Sequence, residues 1–219
     1  MIRYGILFLF ATSTAQAGPW PRAQGEFFLS FGGNVALLGE SVRPVHYDPT
    51  LYLEYGYSDR ITVGLDGFTA DRGDAGSLFA FARYAFEIPS STDKWAAGVG
   101  VGTTILPNGQ QGETLRITGH WGRGMDTGWL AVDAEASFGL SQNLTQTKID
   151  ATWGYRFNDT WTSAVQFQIG TGLSGDTYTK ISPSIIWNAT PNMQIRAGLV
   201  QALSGDYGTG LSLQTWMTF

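Results

Sequence analysis

The chain has 219 residues, of which 43% are hydrophobic, 14% aromatic and only 14% charged, with 29 glycines and no cysteine. That charge content is roughly half the ~25% usual in a soluble domain, and the absence of cysteine excludes disulfide frameworks, thiolate zinc sites and thiol nucleophiles. A formal net charge of −5 excludes the basic footprint of a nucleic-acid binder.

The chain opens on a short basic start, Met1-Ile2-Arg3, followed by an apolar stretch from Tyr4 to Ala11. Ala15-Gln16-Ala17 has the small-residue pattern of a signal-peptide cleavage site, so residues 1–17 read as an export signal removed after Ala17. Residues 18–24 read as a periplasmic N-terminal segment. Within it, Pro19-Trp20-Pro21-Arg22 is either a tail or a small plug.

From Gly25 onward the pattern is short alternating segments separated by turn signals, with no helical period. Twelve are predicted, at 25–33, 50–57, 61–69, 77–86, 94–105, 113–122, 128–140, 144–157, 160–171, 178–188, 193–202 and 209–219. In the eighth, Ile149, Ala151, Trp153, Tyr155 and Phe157 share one face, and Gln146, Lys148, Asp150, Thr152 and Arg156 share the other. A soluble sandwich gives the same period. The aromatics separate the two folds. Every second turn is predicted near Ser58-Asp59, Pro89-Ser90, Met125-Asp126, Asn158-Asp159 or Pro191-Asn192. Beside these turns, on the apolar face, stand Tyr55, Tyr57, Tyr84, Phe86, Trp95, Trp121, Trp153, Tyr155, Phe157, Trp161, Trp187 and Phe219. Such a girdle suits a bilayer interface, where amphipathic rings settle at the headgroups. The predicted fold is all-β: residues 25–219 form a transmembrane antiparallel up-and-down β-barrel of about twelve strands.

The last strand, Leu211-x-Leu213-x-Thr215-x-Met217-x-Phe219, resembles the C-terminal assembly signal of bacterial outer-membrane β-barrel proteins. That family usually has another aromatic where this chain has Met217. The resemblance implies residence in the outer membrane of a Gram-negative bacterium, among outer-membrane lipids and lipopolysaccharide. It also implies recognition by the barrel-assembly machinery through Leu213, Met217 and Phe219. A weaker likeness lies in Glu54-Tyr55-Gly56-Tyr57-Ser58-Asp59-Arg60-Ile61-Thr62-Val63-Gly64-Leu65. This stretch is similar to hairpins of outer-membrane transporters associated with aromatic meta-cleavage pathways, and Phe157-Asn158-Asp159-Thr160-Trp161 echoes it. Tight turns between amphipathic strands look alike for chemical reasons as well.

The face assignment sends Glu54, Asp66, Asp133, Glu135 and Asp150 inward, with Arg83, Arg116, Lys148, Arg156, Lys180 and Arg196. Arg83, Arg156 and Arg196 fall towards the periplasmic ends, Arg116, Lys148 and Lys180 towards the outside, and the acids largely between. Arg116, Asp133, Glu135, Lys148 and Asp150 should lie within one or two cross-strand steps. Two readings remain open: an ion-paired brace closing the lumen, or a polar pathway. Twelve strands at about 4.8 Å spacing close at a Cα radius of roughly 12 Å, too narrow for a wide pore. Ala96, Gly98, Gly100 and Gly102 point inward and leave one wall bare, unless Phe79 and Phe81 or the N-terminal segment pack against it.

Enzymatic chemistry finds little footing. The histidines are His46, in an outer loop, and His120, which points inward. Neither has a serine two places away, there is no G-x-S-x-G, and the spacing offers no metal site. Gly98-x-Gly100-x-Gly102 opens no helix and is no phosphate loop. No cofactor is expected. The outer loops are assigned Glu40, Asp48, Asp71, Asp74, Glu113, Asp176 and Asp206 against Arg43 and Arg72, a surface suited to divalent ions or to plain solvation. The sequence therefore favours a narrow channel or facilitator for small solutes of unspecified identity. The alternative is a structural or surface-interaction barrel closed by its ion pairs.

Overall fold

In the computed structural model, the described residues are 18–38, 47–70, 73–89, 91–141, 143–173, 175–205 and 208–219. The export signal and the loop residues Glu40, Arg43, His46, Asp71, Arg72 and Asp206 lie outside them. Period-two alternation requires each strand to show one face to each of two environments. Twelve strands satisfy that requirement together by closing into a ring.

They are β1 (Phe27–Leu38), β2 (Tyr47–Gly56), β3 (Ile61–Ala70), β4 (Ala75–Phe86), β5 (Lys94–Ile105), β6 (Gln111–Met125), β7 (Gly128–Gly139), β8 (Thr145–Arg156), β9 (Trp161–Thr171), β10 (Thr177–Thr190), β11 (Met193–Ser204) and β12 (Thr209–Thr218). Each strand pairs with its sequence neighbours, and β12 pairs back with β1, so no sheet edge is left open. All the pairings are antiparallel, and the seam runs in register from Phe28↔Thr218 to Val35↔Leu211. Beyond it, Phe27 N–H donates to the Phe219 carbonyl at 3.1 Å and Phe219 N–H to the Phe27 carbonyl at 2.8 Å.

The turns expected at one end lie between the paired strands named for them, and their chemistry is local. Asn158 Oδ1 accepts both Thr160 N–H and Trp161 N–H at 2.9 Å, and Ser58 Oγ accepts Ile61 N–H at 3.1 Å. These side chains satisfy donors that a two-strand ladder leaves unpaired. Several strands run longer than the sequence suggests, β1, β6 and β10 by the most. β1 continues past residue 33, where the first segment is expected to end, because Asn34 is paired on both sides, with Ser212 and Asp48. β6 continues to Met125 opposite Gly128. Two-sided pairing overrides the weak strand propensity of glycine and asparagine.

The outside is apolar. Leu51, Leu65, Leu78, Val99, Val101, Ile117, Ile149 and Leu213 are all exposed, together with most of the girdle aromatics. The compact apolar cluster is inside instead: Trp129, Ala131, Ala164 and Ile186 are buried in the lumen, with Trp20 and Trp216 packed against them.

Candidate functional site

The N-terminal segment is inside the barrel. Of the two placements left open for Pro19-Trp20-Pro21-Arg22, the structure has the inward one. Chain direction is set where Gly25 N–H donates to the Gly56 carbonyl at 2.8 Å and Gly56 N–H returns a bond to the Glu26 carbonyl at 2.9 Å. Pro19 is fully buried. A Cβ on Gly122 would strike Pro19 and stand 2.5 Å from the Trp20 ring, so only glycine there admits the segment. Trp20 then reaches the Trp129 cluster.

Arg22 is what makes this placement favourable. Its Nε donates to Glu54 Oε2 at 2.5 Å, its guanidinium lies 4.1 Å from the Phe28 ring centroid, and its backbone N–H donates to Thr62 Oγ1 at 3.2 Å. Glu54 is 0% exposed. Its other oxygen accepts Arg83 Nη2 at 2.5 Å and the Tyr52 hydroxyl at 2.7 Å. A buried carboxylate needs such company, since an unpaired charge in a low-dielectric interior is strongly unfavourable. The sequence reading put the acids largely between the bases in height. Glu54 instead lies level with Arg83, because both are within three residues of the turn-proximal ends of β2 and β4.

The second cluster lies further from that end. Arg116 Nη1 donates to Asp66 Oδ2 at 2.5 Å, and its Nε lies 3.2 Å from Glu135 Oε1. Lys148 Nζ lies 3.5 Å from Asp150 Oδ2 and 3.9 Å from Glu135 Oε2. Gln168 Nε2 donates to Asp150 Oδ1 at 2.8 Å. The register produces the grouping directly, with Glu135 opposite Lys148 and Asp133 opposite Asp150. Water reaches this level: the side chains of Asp66 and Lys148 are 32% and 36% exposed.

Asp133 lies directly opposite Asp150 of the second cluster. Its Oδ1 lies 2.6 Å from His120 Nδ1, whose Nε2 lies 2.9 Å from Thr118 Oγ1. The remaining inward bases make other contacts as well. Arg196 Nε donates to Ser184 Oγ at 2.9 Å, Lys180 lies over the Tyr178 ring, and Arg156 is the last residue of β8. Asp48 and Glu113, assigned above to loops, are strand residues of β2 and β6.

The glycine wall of β5 is not bare. A Cβ on Gly102 would lie 2.8 Å from Phe79, one on Gly100 3.4 Å from Phe81, and one on Gly98 2.6 Å from Thr118 Oγ1. The glycines make room for side chains leaning in from β4 and β6, chiefly Phe79, over which the Arg116 guanidinium stacks at 3.6 Å. At the mouth, Asp93 forms a further group. It accepts Arg123 Nε at 2.7 Å, Arg123 Nη2 at 2.9 Å and Trp121 Nε1 at 3.0 Å. The hydrogen bonds from Arg123 and Trp121 lower its pKa to about 2.

The sequence reading missed Tyr52, Arg22 and the inward apolar set of Trp129, Ile186 and Trp216. Strand parity carried the signal for several of these: Tyr52 is two residues from Glu54, Trp129 four from Asp133 and Trp216 two from Gln214.

No family model matches the chain, and no curated protein matches it. Among solved structures it is similar to the COG4313 outer membrane channel from Pseudomonas putida F1, with a TM-score of 0.62 and 12% identity over 94% of this chain and 100% of that one. The KdgM porin gives 0.60 and 10% over 88% and 99%. The CymD monoaromatic hydrocarbon channel gives 0.53 and 11% over 90% and 89%. Identities this low speak for the fold alone. The chain has the closed antiparallel barrel fold of bacterial outer-membrane channels.

Proposed function

We propose that this protein is exported with cleavage after Ala17, resides in the outer membrane and passes small solutes along a narrow polar pathway. The observation that carries the reading is the water-reached level around Asp66, Glu135 and Lys148 inside a closed barrel. Inward acids and bases stay nearly balanced even with Arg22 counted among them, so the pathway is not a strong single-sign filter. The neighbours' names point to unlike cargoes, and the mixed lumen favours small polar solutes over a single charged class. The role is permeation, with no catalytic step. Lipopolysaccharide and outer-membrane lipids surround the barrel, and the assembly machinery reads Leu213, Met217 and Phe219.

A second reading has its own support. The sealed Arg22–Glu54–Arg83 group and the segment above it suit a structural barrel whose lumen stays shut. Planar-bilayer recording separates the two, comparing the wild type with a Trp20→Ala, Arg22→Ala variant that loosens the segment. A small wild-type conductance that grows in the variant supports the channel. Leak-level current in both supports the structural barrel. Liposome uptake of ions, sugars and small aromatics then identifies the solute class.

A further inference from the structure

We infer that removal of the export signal creates a lock: the new α-ammonium of Gly18 forms an ion pair with Asp133 and pins the N-terminal segment across the lumen. The inference rests on cleavage after Ala17 but not on conduction.

The geometry comes first. A Cβ built on Gly18 would stand 2.7 Å from Asp133 Oδ1 and 3.4 Å from Oδ2, so the residue abuts both carboxylate oxygens. Nitrogen and Cβ share one Cα at bond lengths near 1.5 Å, which puts the Gly18 nitrogen within about 5 Å of Oδ1. In the uncleaved chain that nitrogen is a neutral amide. Cleavage turns it into an ammonium with three donors, and it also frees the torsion that holds Gly18 at φ 102°. Rotation about N–Cα and a small shift then bring the charges into contact.

Electrostatics favours the pair. The groups facing Asp133 are His120, at 2.6 Å on β6, and Asp150, directly opposite on β8. Asp150 has Lys148 and Gln168 as partners. Two carboxylates in register repel each other unless cations compensate both, and the ammonium adds a full positive charge beside Asp133.

The segment is built to transmit the constraint. Its far end is held by Arg22 on Glu54. Four Cα steps separate residues 18 and 22, spanning at most about 14 Å. Pro19 and Pro21 restrict the backbone between them, which lowers the entropy lost on ordering. A strut fixed at both ends crosses the mouth. Cleavage one or two residues upstream would lengthen the strut, and cleavage downstream would shorten it, each misplacing its charge.

The test uses mature protein purified in detergent from outer membranes. Intact mass and N-terminal sequencing come first and should give Gly18 as residue one. A different first residue overturns the lock and leaves the channel reading standing. N-Hydroxysuccinimidyl acetate is then applied at neutral pH, and acetylation of the N-terminal peptide is followed by mass spectrometry. Amines react unprotonated, so an ion pair that raises proton affinity by about one pKa unit slows labelling roughly tenfold. Labelling should be slow in the wild type and about tenfold faster in Asp133→Asn, whose side chain keeps the same shape. A Gly-Ser insertion after Ala17, which displaces the ammonium while leaving Asp133 in place, should also label fast. Equal rates in the wild type and Asp133→Asn overturn the proposal. Slow labelling in all three does so too, because burial alone would then protect the amine.

Discussion

The two charged levels of the lumen use the same chemistry to opposite ends. Around Glu54, two arginines, a tyrosine and an aromatic floor exclude water, and the carboxylate is 0% exposed. Around Glu135, cations and acids alternate in a ladder that water reaches, with Lys148 36% exposed. The difference is not composition but cover. The N-terminal segment seals the first level and leaves the second open. A sealed group and an accessible ladder therefore occupy different heights of one barrel.

The largest expected effect comes from Glu54→Gln, which removes the carboxylate that Arg83 and Arg22 share, while Arg22 keeps Glu26 at 3.5 Å. Breaking a buried pair costs about 3–5 kcal/mol, and thermal unfolding in detergent should show the loss. A change as small as that of a surface pair would mean water enters the lower level. Next is Gly102→Ala, whose new methyl would strike the Leu78 carbonyl oxygen and meet Phe79 at 2.8 Å. Overpacking of this kind costs about 1–3 kcal/mol. Gly119→Ala, with nothing within 4 Å, should be close to neutral in the same assay.

Glu135→Gln should behave differently from Glu54→Gln. Arg116 keeps Asp66 and Lys148 keeps Asp150, so stability should fall by about 1 kcal/mol or less. Its effect should fall on permeation, with the reversal potential in a salt gradient moving away from cation preference. A large stability loss with unchanged selectivity would make the upper level a second brace. The smallest effect is at the mouth. Asp93 is depressed to about 2 by Arg123 and Trp121. Its contribution is fully present above the ordinary carboxylate range near 4 and is lost as pH falls through about 2. The difference in melting temperature between wild type and Asp93→Asn should shrink over that interval.

Much of this was legible in the sequence, because a barrel strand states its own faces. Lys148 and Asp150 share a parity opposite to Ile149 and Trp153, and that parity holds in the folded ring. The turns at Ser58 and Asn158 carry their own hydrogen-bond acceptors. The inward tryptophans were harder to recognise. A polar-inside rule hides Trp129 and Trp216 unless something apolar waits for them in the lumen, and that something is Trp20. No local pattern places Trp20, since its position follows from contacts far along the chain, Arg22 with Glu54 and Gly122 with the two rings it admits. The bare glycine wall misled for a related reason. Missing side chains on one strand say nothing about how far Phe79 leans across from the next.

The seam between β1 and β12 has a consequence for how such a barrel is made. The main chain of Phe219 exchanges two hydrogen bonds with Phe27, and their rings lie 6.3 Å apart. Only an unpaired strand edge offers itself to another sheet. The terminal strand thus offers a pairing edge only while the ring is open, and the closing bonds withdraw it.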